Sequence, residues 1–162
     1  MGAVSTRRAA NRDHRGYFGV AIYHGKSSVN YGSLFRTAQI QGAAFLASIG
    51  PRYRPQCSDV LKSWRHLPTF VYPDFDAFMA SRPYDCQLVA VEMDERAKML
   101  CDFSHPERAI YLLGAEDNGL PPKVLAQCQS VVCLPGERSM NVACAGSVVI
   151  VDRIMRRGVV AL

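Results

Sequence analysis

Residues 109–121, AIYLLGAEDNGLP, contain the pattern that decides the fold. The five apolar residues Ala109 to Leu113 predict a short strand that is buried on both faces, as strands of a parallel sheet are. Glycines and acidic residues follow at once, and Pro121 and Pro122 then favour the first turn of a helix to about Gln127. A buried strand that leads through a polar loop into a helix is typical of α/β domains.

The same alternation extends along the rest of the chain. The predicted strands are residues 18–23, 44–49, 69–72, 87–91, 109–113 and 131–134. Three further helices are predicted. The first covers residues 31–41, with Asn30 as its N-cap and Gly42 as its stop, and the second is short, capped by Asp74 and running through Ala80. The third covers about residues 141–157 and ends at Gly158. The fold class is therefore α/β, with a mostly parallel sheet flanked by helices. A ligand is expected beyond the carboxyl ends of the strands.

Length and composition limit the classes of protein. The 162 residues suffice for one domain, and we predict a basic, mobile arm over 1–16 and a single domain over 17–162. No apolar run approaches the roughly 20 residues that cross a membrane. The six cysteines lack C-x-x-C spacing and the histidines are scattered, so we expect reduced thiols, a cytoplasmic location and no metal. No P-loop or G-x-G motif is present.

The charge is unevenly distributed. Residues 1–65 carry a net charge of +8, residues 66–137 carry −6 and residues 138–162 carry +3, which sum to +5. Fifteen of the 19 basic residues are arginine. Arginine binds phosphate in a bidentate way and stacks on bases, so the composition fits RNA binding. A general drift of the composition towards arginine would explain it equally well.

Three segments combine glycines with polar side chains where a strand passes into a helix. They are NYGSLFRTA (30–38), LGAEDNGLP (113–121) and LPGERSMNVA (134–143). The chain resembles the SpoU/TrmH family of RNA ribose 2′-O-methyltransferases, in the SPOUT superfamily. The resemblance rests on three motifs in this order: N-x-G-x-x-x-R, L-G-x-E-x-x-G-L and S-M-N-V-A. The resemblance covers about residues 17–158.

This resemblance implies a deep trefoil knot near the C-terminus, S-adenosylmethionine bound in a bent pose, and a homodimer with its active site at or near the interface. The implied substrate is RNA, and tRNA is expected before rRNA because the chain has no separate substrate-binding domain. Two alternatives stay open. One is a catalytically silent RNA-binding or scaffold protein, and the other is a related methyltransferase that acts on a base.

The family motifs also assign candidate residues. The implied catalytic residues are Arg36, Asn30, Glu116, Ser139 and Asn141. The implied cofactor-binding residues are Gly114, Ala115, Glu116, Gly119, Leu134, Met140, Asn141 and Ala143, and residues 89–92 are a possible further wall. A guanidinium is a poor base, so we expect Arg36 to clamp a phosphate or orient the hydroxyl. Simpler interpretations are a surface arginine at 36, a plain N-cap at Asn30 and a solvated loop acid at Glu116.

Overall fold

The computed structural model describes residues 16–50 and 65–157, which contain a seven-stranded parallel sheet. The strands are β1 (Tyr17–Tyr23), β2 (Phe45–Ile49), β3 (Thr69–Tyr72), β4 (Gln87–Val91), β5 (Lys98–Met99), β6 (Arg108–Leu113) and β7 (Ser130–Cys133). Their order across the sheet is β3-β2-β1-β6-β4-β7-β5, and every pair is parallel. The predicted α/β class is confirmed.

Helices cover both faces of the sheet. They are α1 (Ser28–Ile40), α2 (Phe75–Ala80), α3 (Pro122–Leu125) and α4 (Val142–Arg156), with a 3₁₀ turn at Leu100–Asp102. Alternate strand residues enter two separate cores, as the period of two requires. Val20 and Tyr111 pack under α1 and α4, whereas Ala21 and Ile110 pack under α2 and α3. No helix in the described part of the chain is long and apolar enough to span a membrane.

Several element boundaries differ from the prediction. Helix α1 begins at Ser28, and its N-cap is Ser27, whose hydroxyl accepts from the Asn30 amide at 3.4 Å. The prediction of Asn30 as N-cap was therefore wrong, because the Asn30 side chain bonds to groups distant in sequence. Gly42 follows the helix with a φ of +79°, as expected of a stop.

The boundaries of the remaining elements follow the prediction more closely. Asp74 caps α2 as predicted, and Asn141 caps α4 at the predicted start of that helix. Helix α3 ends two residues before Gln127, and β5 was not predicted. Residues 1–15 of the predicted arm over 1–16 and the predicted stop at Gly158 lie outside the described residues.

The chain changes direction across the sheet between β1 and β6, which are adjacent. From β1 it continues through α1 to β2 on one side. From β6 it continues through α3 to β7 on the other side, beyond β4. Loops that leave neighbouring strands in opposite directions open a crevice at the carboxyl edge of a parallel sheet, where ligands bind. The fold therefore locates a site next to the ends of β1, β6, β4 and β7.

Candidate functional site

A cleft of about 470 Å³ lies at this edge of the sheet. Its walls are the loops that follow β4, β6 and β7, so the second and third sequence motifs meet in one place. Most of the predicted cofactor residues line it, namely Gly114, Ala115, Glu116, Gly119, Leu134, Met140 and Asn141, together with the predicted catalytic Ser139. Its volume is within the range of about 300–1,000 Å³ that is usual for small-ligand sites.

The loop after β6 is a tight turn that only glycine permits at two positions. The Gly119 amide donates to the Ala115 carbonyl at 2.9 Å, and Gly119 has a φ of +59°. A Cβ atom on Gly114 would lie 2.3 Å from the Gly119 carbonyl carbon. These two glycines therefore let the loop fold back on itself, which leaves backbone groups exposed along one wall of the cleft.

Glu116 ties this loop to the start of α1. Its carboxylate accepts from Asn30 Nδ2 at 2.8 Å and from the backbone amides of Lys26 and Ser27 at 3.1 and 3.2 Å. The neighbouring Asp117 forms an ion pair with Lys26. A carboxylate at the N-terminus of a helix satisfies its free amides and interacts favourably with the helix dipole.

Burial raises the pKa of the Glu116 carboxyl, but the hydrogen bonds from Asn30 and from backbone amides, including those of Lys26 and Ser27, lower it by more. Its net pKa therefore lies below the usual value. The environment of Glu116 favours a charged acceptor that holds other groups in position, and disfavours proton uptake.

Asn30 and Asn141 extend the connection to the third motif. Asn141 Nδ2 donates to Asn30 Oδ1 at 3.0 Å, while Asn141 Oδ1 accepts from the amides of Ala143 and Cys144 at the start of α4. Glu116, Asn30 and Asn141 thus form one hydrogen-bonded chain, which we call the Glu116 network. It joins the three sequence motifs although they are up to 111 residues apart.

Ser139 is less constrained. It is exposed at the rim of the cleft, and the hydrogen-bond acceptor recorded for its hydroxyl in the described chain is the Met93 sulfur at 3.6 Å. A thioether is a weak acceptor, so the hydroxyl can turn towards a ligand.

Three of the predicted site residues do not line the cleft. Asn30 lies behind its wall, bonded to Glu116 and Asn141. Arg36 is exposed on α1 and makes no recorded hydrogen bond or ion pair within residues 16–50 and 65–157. Ala143 is buried in the core beneath α4, while residues 142 and 145 line the cleft instead. The structure therefore separates Arg36 from the other predicted residues, whereas Ala143 stays bonded to Asn141 through its backbone amide and only its side chain is turned into the core.

Other lining residues escaped the motif reasoning. Glu92 and Met93 follow β4, and Arg138 lies just before Ser139. Of the possible wall at residues 89–92, Val91 and Glu92 line the cleft, while residues 89 and 90 are buried in the cores. The rule that ligands bind beyond strand ends points to Glu92, but no motif marks it.

Metal ligation is not evident in this part of the molecule. Among residues 16–50 and 65–157, no three or more His, Cys, Asp or Glu side chains are grouped so that they could hold a metal ion.

The sheet order, the crevice and the three linked loops define a class, that of α/β domains that bind a small ligand at the ends of parallel strands. The sequence profile of the SpoU rRNA Methylase family matches residues 18–151, and the chain belongs to this family. No curated protein matches the chain.

Solved structures share the fold. An AdoMet-bound rRNA methyltransferase from Sinorhizobium meliloti superposes with a TM-score of 0.78 at 20% identity, over 88% of this chain and 57% of that one. The SpoU methyltransferase AviRb from Streptomyces viridochromogenes gives 0.76 at 24% identity, over 97% and 65%. A protein studied for 2-OH methylation of C/U34 on tRNA gives 0.75 at 24% identity, over 88% and 97%. This chain therefore spans less than two thirds of the length of the first two proteins.

Proposed function

We propose that the chain transfers a methyl group from S-adenosylmethionine to a ribose 2′-hydroxyl of RNA, with tRNA favoured over rRNA. The observation that carries the proposal is the Glu116 network, which assembles all three family motifs around one cleft. The choice of tRNA is supported by the likeness to the protein studied for tRNA 2-OH methylation, of which this chain covers 97%.

The cleft fits the proposed cofactor. Leu134, Val142 and Ala145 supply apolar contact, and the loop between Gly114 and Gly119 presents backbone groups that can bond to the edge of an adenine. The cofactor carries no phosphate, so a phosphate-binding glycine motif is not needed. When bound, S-adenosylmethionine supplies an electrophilic methyl group on a sulfonium sulfur.

The residues of the Glu116 network act as positioning residues in this proposal. The Asn30 side chain donates to Glu116 and accepts from Asn141, while the Asn141 carbonyl caps α4. Since their recorded bonds fix the three loops against one another, they hold the walls of the cleft at a constant separation. Holding reactants in line lowers the barrier of a bimolecular transfer, because the entropy of orientation is lost on binding instead of in the transition state.

Ser139 is our candidate for orienting the hydroxyl of the substrate. It lies at the rim of the cleft and can accept the 2′-hydroxyl proton in a hydrogen bond or donate to the ribose oxygen. The proton itself leaves to solvent or to the RNA phosphate, since Glu116 is held as a charged acceptor by its donors.

A homodimer would give Arg36 its function. The outer face of α1 exposes Val29 and Ile40, with exposed fractions of 59% and 61%, and Arg36 lies between them on the same face. Helix α4 packs beside α1, where Ser147 donates to Thr37 at 3.0 Å, and it also exposes apolar residues at positions 148 and 151. Apolar stripes on two adjacent helices are typical of a surface that associates.

The partner suited to that surface is a second copy of the chain. If the stripes pair across a twofold axis, the Arg36 guanidinium lies at the interface and can clamp an RNA phosphate beside the partner's cleft. The trefoil knot and the cytoplasmic location implied by the family stay predictions.

The test is transfer of labelled methyl from S-adenosylmethionine to RNA from a strain that lacks the gene, followed by digestion to nucleosides. A labelled 2′-O-methylnucleoside is the expected product, and comparing purified tRNA with rRNA identifies the substrate. A labelled base would replace the ribose assignment. Absence of both transfer and cofactor binding would favour the silent RNA-binding alternative.

A further inference from the structure

We infer that Glu92 makes the cleft select the cationic sulfonium cofactor over its uncharged-sulfur product, so that Glu92 is a specificity-determining residue. This inference rests on the proposed function. Methyl transfer to the hydroxyl breaks the carbon–sulfur bond and forms a carbon–oxygen bond. The electron pair stays on sulfur and the hydroxyl proton is released. The product, S-adenosylhomocysteine, therefore has one positive charge fewer than the cofactor.

Glu92 is held in the cleft by local geometry. Its Oε2 accepts from the Leu120 amide at 2.9 Å and its Oε1 accepts from the Met93 amide at 3.0 Å. The space that it occupies exists because residue 119 is glycine, since a Cβ there would lie 2.4 Å from Glu92 Oε2. The carboxylate is thus fixed at the junction of the loops after β4 and β6, in a half-buried residue.

Two carboxylates in the lining of the cleft, Glu92 and Glu116, form no ion pair within the described residues, and Glu116 is bonded to the start of α1. Asp117 is paired with Lys26, and Glu116 is surrounded by three donors from the α1 side. Within residues 16–50 and 65–157, Glu92 has no Lys, Arg or His nitrogen within 4.0 Å. Arg138 is the cation among the lining residues, and it is exposed at the rim. A negative charge without a cationic partner in a ligand cleft favours a cationic ligand.

A purely structural role for Glu92 predicts a different result. If the carboxylate only braces the loop at Leu120, then any change would alter the affinity for both ligands by the same factor, because they differ only at sulfur. The ratio of the two dissociation constants therefore separates charge selection from loop bracing. A glutamine side chain at position 92 removes the charge and keeps one oxygen that can accept from the Leu120 amide. It loses the acceptor for the Met93 amide, and this local loss alters the affinity for both ligands by the same factor.

The experiment measures the dissociation constants of S-adenosylmethionine and S-adenosylhomocysteine by calorimetry for the full chain and for Glu92→Gln. A carboxylate acting on a cation through the solvated medium of an open cleft changes affinity by about two- to tenfold, so the preference for the cationic ligand should fall by about this factor. The matched control is Glu95→Gln, which removes the same charge from an exposed residue beside the cleft. It should leave the ratio unchanged.

Glu92→Ala gives a second measurement that also removes the brace. It should weaken both ligands and still reduce the ratio as Glu92→Gln does, provided that thermal unfolding shows a folded protein. An unchanged ratio in both Glu92 variants would overturn the inference while leaving the proposed function intact. Failure of the unmodified chain to bind either ligand would overturn the proposed function instead.

Discussion

Changing Asn30 to aspartate tests the Glu116 network most directly. The Asn30 amide nitrogen lies 2.8 Å from a Glu116 oxygen, so Asn30→Asp replaces a donor with a second carboxylate. Two unit charges about 4 Å apart repel by about 1 kcal/mol in water and about 4 kcal/mol at an effective dielectric constant of 20. A lost hydrogen bond to a charged group adds about 1.5–3 kcal/mol.

Because both side chains are partly solvated, we expect the free energy of unfolding to fall by about 2–4 kcal/mol, towards the lower end of the summed effects. At about 2–4 °C per kcal/mol for a chain of this size, the melting temperature should drop by about 5–15 °C. Cofactor affinity should fall as well, since the loop at Glu116 loses its anchor on α1.

The control is the double variant Asn30→Asp with Glu116→Gln. The introduced glutamine can donate from its amide nitrogen to the new carboxylate at position 30, while its oxygen still accepts from the Lys26 amide and the bond from the Ser27 amide is lost. The double variant should therefore regain about half or more of the lost stability, giving a coupling of about 1–3 kcal/mol in urea unfolding. An Asn30→Asp protein within about 0.5 kcal/mol of the unmodified chain, or strictly additive changes in the double variant, would refute the network.

Three further predictions concern other parts of the molecule. Burial lowers the pKa of His105 below its usual 6.5, and the hydrogen bond and charge of Asp152 only partly oppose this shift. The contribution of His105 to the free energy of unfolding should therefore be complete above about pH 6.5 and decrease below it. Urea unfolding of His105→Gln should show no such pH dependence. Gly119→Ala should cost about 1–2 kcal/mol and weaken cofactor binding, because φ is +59° there; normal melting and binding would contradict this. If Arg36 acts on the partner's cleft, mixing the weakly active Arg36→Ala and Ser139→Ala proteins should raise the activity to about a quarter of that of the unmodified chain. No increase would place Arg36 in its own subunit's site.

The strands could be predicted from the sequence where runs of apolar residues indicate burial. Six of the seven strands were predicted. Runs such as Ala109 to Leu113 are buried on both faces, whereas the exposed edge strand β3 was predicted from its β-branched and aromatic residues. Strand β5 was missed because its two residues are exposed, and it is a strand only through pairing with Val132 and Cys133. A pattern of two polar or flexible residues contains no signal of such a pairing.

The candidate site could be predicted as far as its motifs, and no further. The motifs place Gly114, Glu116 and Asn141 at strand ends, and the structure brings them together in one cleft. The interaction of Asn30 with Glu116 spans 86 residues. Local sequence patterns therefore suggested an N-cap, and only the family resemblance gave Asn30 a place in the site. Glu92 was missed as a distinct candidate because its significance depends on the space beside Gly119, which is a property of packing.

The recorded hydrogen bonds divide the five predicted catalytic residues into two kinds. Asn30, Glu116 and Asn141 bond to one another and to the starts of α1 and α4, so their hydrogen bonds hold the loops of the cleft together. Ser139 and Arg36 carry no such bonds in the described chain. A residue that shapes the cleft affects the binding of the cofactor, whereas a residue that contacts the reacting group only during transfer affects kcat.

This division has a kinetic consequence that the family motifs alone do not give. Substitution of Asn30 or Asn141 should raise the KM for S-adenosylmethionine together with a loss of stability. Ser139→Ala should lower kcat by about 100-fold, the lower end of the range for proton-transfer assistance, and leave the cofactor KM and the melting temperature unchanged. Steady-state kinetics and thermal unfolding of the three variants separate residues that shape the cleft from residues that contact the reacting group. A Ser139→Ala protein that loses cofactor affinity but keeps kcat would assign Ser139 to the walls of the cleft.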